Sequence, residues 1–422
     1  MSAPALDLDA ARTALRSACG EVSDAGPGDA VDGVPPALVA RPGSTAEVAE
    51  VLRAAAAAGL TVVPRGNGTK IAWGRPPERV DLVVDLSRMA AVQDHAAGDL
   101  IVDVQAGTPL AAVQDAVDGA GQHLALDDPV GGSSVGGVLA ANVSGPRRLL
   151  RGSARDLLIG VTLVRADGVV AKAGGRVVKN VAGYDLGKLV IGSLGTLGVV
   201  TEAVFRLHPR AAAARVISVP FDRPEEAQRL VQQILHAQLV PAALEVEQPH
   251  EGSGTVALLL EGIEAAVEAR TSAARALLGA AAVVADGLPE WMQRFPWVGA
   301  ARATGLKATF RLSGLARVLA TARRAVADAG IRLDVRGSAG TGVLYAAMPG
   351  DAPAAAVARV VDALRAECGA LGGAVVVVDA PAEVKATVDV WGPVPAIDLM
   401  RRVKQQFDPE RRLAPGRFAG GI

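Results

Sequence analysis

Pro64-Arg65-Gly66-Asn67-Gly68-Thr69 is the stretch on which the reading of this chain turns. An apolar run, Leu60 to Val63, precedes it and reads as a buried strand. Gly66 and Gly68 put no side chain between backbone and ligand and permit positive φ. A turn of this kind aims successive N–H groups into one concavity, a shape suited to phosphate oxygens. Taken alone, the stretch reads better as an ordinary glycine turn between strands. Two later glycine-rich stretches reverse that preference.

Upstream, Ala5 to Ala18 reads as an amphipathic helix, Glu21 to Val34 as a polar loop and Ala37 to Arg41 as a strand. Ser44 with Glu47 forms a capping box for a helix running to about Ala58, and Gly59 is its stop. The glycine loop follows the next strand. It is not a Rossmann loop, because it opens no helix; Lys70 to Trp73 and Val80 to Leu86 read as further strands. Asp99 to Val104 is a strand, and a helix from Thr108 to Val117 has Thr108 as its cap.

The second stretch runs from Asp127 to Gly145, with glycines at 131, 132, 136, 137 and 145 among small residues. Its apolar members, Val135, Val138, Leu139 and Val143, argue for burial over a surface loop. Ile159 to Arg165 and Val169 to Lys172 make a hairpin. The third stretch, Ile191-Gly192-Ser193-Leu194-Gly195-Thr196-Leu197-Gly198, leads into a strand from Val199 to Leu207. Beyond Arg210 the pattern becomes β-α-β-β-α-β, given twice: Arg215 to Val284, then Lys307 to Val378. A short helix ends the chain near Gln406.

The 422 residues suffice for two or three domains, and half are apolar with mean hydropathy +0.31, which marks a globular chain. A net charge of −1 gives no case for nucleic acid or an anionic membrane surface. Cys19 and Cys368 are too few for a disulfide framework, a metal cluster or an iron–sulfur centre and suggest a reduced, cytoplasmic setting. Residues 1–20 show no signal-peptide pattern, and no apolar run is long enough to span a bilayer. Any membrane association is therefore expected through partners.

A dinucleotide needs N–H groups for its pyrophosphate and side-chain-poor walls for its rings. The three stretches, in this order, resemble the PCMH-type FAD-binding domain of the vanillyl-alcohol oxidase and p-cresol methylhydroxylase superfamily. Within it the chain looks most like the FAD-binding subunit of glycolate oxidase (glycolate dehydrogenase). That likeness is carried by Gly145-Pro146-Arg147-Arg148, Arg151-Gly152, Arg155-Asp156, Gly175 to Leu186 and Asp389-Val390-Trp391-Gly392. The resemblance implies an α+β fold: residues 1–35 as helix and loop, 36–210 as the FAD domain, 211–393 as a cap of two ferredoxin-like halves, and 394–422 as a tail packed on the FAD domain. It implies FAD as cofactor. The residues expected to hold it are Arg65, Gly66, Asn67, Gly68, Thr69 and Lys70; Pro129, Gly132, Ser133, Ser134, Gly136, Gly137, Asn142 and Gly145; and Gly195, Gly198, Val199 and Val200. It further implies a second FAD-linked catalytic subunit, an iron–sulfur subunit and a small 2-hydroxy acid substrate, glycolate being oxidised to glyoxylate.

The chain also departs from the pattern. Relatives that oxidise D-2-hydroxy acids alone carry a Gly-Asp-Gly-Asn-Leu-His metal segment, where this chain has Gly340-Thr341-Gly342-Val343-Leu344-Tyr345. A second segment, Glu-His-Gly, falls at Asp379-Ala380-Pro381. Among five histidines none pairs at metal spacing, so no metal and no complete set of base and carboxylate clamp is assembled. The phosphate loop has no histidine, so non-covalent FAD is expected. Several side chains stay open. Arg65 either faces a phosphate or caps its loop. Arg147, Arg148 and Arg151 form a basic cluster, solvated or at an interface. Lys179 and Asp185 read as functional and Tyr184 equally as a buried anchor, while Trp291, Phe295 and Trp297 read as cap packing and His208 as a strand end.

Overall fold

The computed structural model describes residues 6–176 and 184–422. Lys179 and most of the Gly175 to Leu186 stretch lie outside the described residues.

The fold is α+β. A four-stranded sheet takes its strands in the order Val22–Asp24, Leu38–Ala40, Leu82–Asp85, Val62–Arg65, the last three parallel. Leu38–Ala40 and Val62–Arg65, which flank Leu82–Asp85, are joined by the crossover helix Thr45–Ala57. Ser44 Oγ accepts the Glu47 N–H at 3.1 Å, while the Glu47 carboxylate accepts from Gly43 at 2.8 Å, one residue before the expected partner. A second, antiparallel sheet runs Val92–Ala96, Ile101–Gln105, Val199–Arg206, Leu158–Val164, Val170–Gly174.

The cap is one antiparallel sheet of eight strands. Val283–Ala285, Ala213–Phe221, Gly254–Gly262 and Ala243–Gln248 form one βαββαβ half; Asp334–Ser338, Val343–Met348, Thr304–Thr309 and Ala374–Asp379 form the other. The halves join where Ala243–Gln248 pairs with Asp334–Ser338. Strand alternation divides this sheet into two faces. Leu244, Val246, Val335, Leu306 and Leu344 enter the core with the cap helices. Glu245, Glu247, Arg336, Tyr345 and Lys307 occupy the alternate positions, and Glu247, Arg336, Tyr345 and Lys307 form one cross-strand row.

Several local expectations change. Lys70 to Trp73 is not a strand: the Ile71 N–H closes on Gly68 O at 3.0 Å and the Trp73 N–H on Lys70 O at 3.1 Å, so these donors are consumed in turns. The helix Leu110–Asp118 follows Pro109, and the Thr108 hydroxyl donates to Ala91 O instead of capping. Within the second glycine stretch lies a helix, Val135–Ala141, capped by Ser134 Oγ and closed by Asn142 in the left-handed region at φ +50°. Tyr184 is 90% exposed and not a buried anchor. Phe295 and Trp297 do pack, but in the core cluster of the FAD-domain strands, with centroids 6.3 and 6.2 Å from Trp73.

Candidate functional site

The three glycine-rich stretches converge. A Cβ on Gly66 would lie 2.0 Å from Ser134 Oγ, and one on Gly195 would lie 2.5 Å from Pro64 Cγ. The missing side chains thus serve close approach of segment to segment. Between them lies an open cleft of about 730 Å³, lined by Arg65, Gly66, Gly68, Thr69 and Lys70, by Ser134, Gly136 and Gly137, and by Gly195, Gly198 and Val200. A second cavity of about 760 Å³ shares Ala141 and Leu194 with it and runs under the cap. Its walls are Trp73, Phe295, Tyr345, Trp391 and Phe418, the valines 376–378, Asn142 and Lys307.

The remaining expected residues stand behind these walls. Asn67 donates to Gly132 O at 2.9 Å and ties two segments together. Ser133 is 1% exposed, its hydroxyl against Asp128 and the Lys70 ammonium. Val199 points into the core, and Pro129 and Gly145 line a separate chamber. The Arg65 guanidinium turns to Asp29 and Asp85, each at 2.8 Å, which leaves its loop to act by backbone. Arg147 is engaged likewise, by Asp127 at 2.7 Å and Glu261 at 2.9 Å.

The cleft is prepared for an anion. Among the described residues, the backbone N–H groups from Gly66 to Lys70 have no protein acceptor. Lys70, 8% exposed, sits at the same loop with its ammonium 2.8 Å from Thr69 Oγ1 and 2.6 Å from Ser133 Oγ, both neutral partners. Burial pulls its pKa down to about 8, against the opposing pull of Asp128. A run of N–H groups without protein acceptors at the cleft wall, beside one buried ammonium, suits a diphosphate.

Sequence reasoning did not find Arg417, Lys307 or the aromatic wall. The tail reaches the cleft because the Ala414 N–H donates to Val62 O and the Val62 N–H to Arg412 O. Arg417 lines the cleft at 3% exposure, donates to Ile71 O and Trp73 O at 2.7 and 2.9 Å, and burial draws its pKa down to about 10. Asn142 Oδ1 is buried with no partner among the described residues and lines the cavity under the cap. Among the described residues no group of His, Cys, Asp and Glu could hold a metal.

Comparison with known proteins agrees with this geometry. A family described as "FAD binding domain" matches residues 36–174, and one described as "FAD linked oxidases, C-terminal domain" matches residues 307–418. Residues 36–174 carry the FAD-binding domain of the PCMH-type family. FAD is its cofactor, and the donor run, Lys70 and the unpartnered Asn142 fit that group. Among relatives of this FAD-binding family, the chain is 34% identical over 218 residues to glycolate oxidase subunit GlcD of Bacillus subtilis, which is 51% of this chain and 46% of that one. It is 34% identical over 220 residues to glycolate oxidase subunit GlcE of Escherichia coli, 52% of this chain and 59% of that one. A D-lactate dehydrogenase of Archaeoglobus fulgidus is 31% identical over 208 residues, 49% of this chain and 46% of that one. The chain thus spans about half the length of these curated relatives. An alkyldihydroxyacetonephosphate synthase structure shares the fold, with TM-score 0.70 at 19% identity over 91% of this chain and 78% of that one.

Proposed function

We propose that this chain is the FAD-binding subunit of a multi-subunit oxidoreductase that oxidises a small 2-hydroxy acid, glycolate being the expected substrate. One observation carries the reading: an anion-ready cleft shares its Ala141 and Leu194 wall with an aromatic-lined cavity under the cap. FAD, when bound, supplies the hydride acceptor. The loop backbone and Lys70 hold its diphosphate, Asn142 offers an acceptor within the cavity, and the aromatic wall excludes water.

The cavity is lined by Asn142, Lys307 and Tyr345 as its polar groups, with no carboxylate or imidazole among its wall residues. A hydroxyl proton needs an acceptor at working pH. A second FAD-linked subunit supplies that base in this proposal, and an iron–sulfur subunit takes the electrons onward. The complex works in the cytoplasm or at the inner face of the cell membrane through its partners; among the described residues no helix is long and apolar enough to cross a membrane. The same lack of a base favours a second reading, a flavin-bearing scaffold subunit without turnover of its own.

Purification alone and with co-expressed partners tests the division of labour. Glycolate bleaches the flavin of the complex and leaves that of the isolated chain unreduced. Equal turnover by the isolated chain overturns the proposal, and a flavin that stays oxidised in the complex favours the scaffold.

A further inference from the structure

Lys404 is a buried lysine that belongs to the wall of neither the cleft nor the cavity under the cap. It stands on the tail helix Ile397–Phe407, is 4% exposed, and its ammonium has three acceptors. Asp408 Oδ2 accepts at 2.7 Å, Thr196 O at 2.8 Å and Leu413 O at 2.9 Å. An ammonium has three N–H donors, so this one is fully used. Asp408, 1% exposed, also accepts the Arg412 and Leu413 N–H groups at 2.9 and 2.7 Å, which fixes the turn after the helix.

Both carbonyl partners lead to the cofactor cleft. Leu413 lies between Arg412 and Ala414, which exchange hydrogen bonds with Val62 on the strand that feeds the phosphate loop. Thr196 lies in the third glycine-rich stretch, between Gly195 and Gly198, and both glycines line the cleft. That stretch is strained: Gly192, Leu194 and Gly195 have φ of +81°, +52° and +77°. Leu194 has a Cβ, so its left-handed conformation is unfavourable and persists only where the surroundings enforce it. It is also a wall residue of both the cleft and the cavity under the cap. Two holds act on the turn: the Leu194 N–H donates to Ala140 O at 2.9 Å, and Lys404 takes Thr196 O from outside the cleft. A buried ion pair adds little stability over apolar side chains of its volume. What this one supplies is a fixed place for a carbonyl.

We propose that Lys404 is a positioning residue for FAD: it holds the strained turn from Gly192 to Gly195 at the spacing from the phosphate loop that admits the cofactor. It acts through the turn and touches no part of the cofactor. The proposal rests on FAD as the cofactor and not on the substrate or partners proposed above.

Titration of flavin-stripped protein with FAD, followed by flavin fluorescence, tests this in the parent, in Lys404→Met and in Lys404→Met combined with Asp408→Asn. The single variant leaves Asp408 as a buried, unpaired charge and loses stability in urea. The double variant removes that charge, keeps one acceptor for the Arg412 and Leu413 N–H groups and regains part of the stability. FAD affinity falls at least tenfold in both, and the visible circular dichroism of the bound flavin departs from the parent's. A double variant with parental affinity and parental flavin dichroism overturns the proposal, as does an affinity that recovers in step with stability. The parent supplies a test that needs no variant. Coupling is reciprocal, so FAD slows hydrogen exchange at the Arg412 and Leu413 amides; exchange there that FAD leaves unchanged overturns the proposal. Weakened FAD binding in the variants, with a parental complex that glycolate fails to reduce, sinks the redox function and leaves Lys404 in its role.

Discussion

Lys70 is the residue whose chemistry is most directly testable. An anionic ligand favours its protonated form, and burial has lowered that pKa to about 8. Above pH 8 the free protein loses this proton, so binding must take one up, and FAD affinity falls by up to about tenfold per pH unit. Lys70→Met should weaken FAD binding by roughly 10- to 100-fold, the loss of one charge-assisted hydrogen bond, and should flatten the pH dependence; calorimetric titration from pH 7 to 9 checks both. Glu245 acts on stability, in the same direction with pH. Its folded pKa of about 8 lies above the unfolded 4.5, so between these values the folded state binds the extra proton and stability falls as pH rises, by up to about 1.4 kcal/mol per unit. Glu245→Gln removes that component, and denaturant midpoints from pH 5 to 8 should show the reduced slope. Gly195 has φ +77° and no room for a Cβ beside Pro64. Gly195→Val should strain the loop by about 1–3 kcal/mol, part the first and third segments and lower flavin content while far-UV circular dichroism is kept.

At the scale of elements, the cap was legible and the cofactor wall was not. The helix Leu315–Ala329 has the bounds its apolar period gives, because seven of its residues face one core. The helix Val135–Ala141 escaped because Gly136 and Gly137 oppose helix by propensity; burial of Val135, Val138 and Leu139 overrides that local cost. The alternation of Leu244, Glu245, Val246 and Glu247 was readable as a strand, yet which polar face meets the FAD domain is a tertiary fact. The aromatic group Phe295, Trp297, Trp73 and Tyr345 joins cap to FAD domain, with Phe295 and Tyr345 centroids 4.1 Å apart. Phe295→Ala should cost about 3–5 kcal/mol in thermal or denaturant unfolding and loosen the cap over its cavity.

For the whole molecule, the order of three side-chain-poor segments disclosed the fold, because each must pass close to another backbone. Arg417 could not be placed from the sequence: its carbonyl partners Ile71 and Trp73 are 346 and 344 residues away along the chain. Tyr345 was found only as a departure from a metal segment, and the structure puts it on the cavity wall between Lys307 and Arg336. A ligand that binds only the folded chain stabilises it by mass action, so FAD at 100 times its Kd should add about 2.7 kcal/mol. The decisive measurement is titration of flavin-stripped protein with FAD, followed by acid precipitation. The account predicts one FAD per chain, release of all of it into the acid supernatant, and loss of binding in Gly68→Val. A stripped chain that takes up no FAD, or a Gly68→Val chain that binds it as tightly as the parent, would contradict the claim that these segments form the cofactor's sleeve.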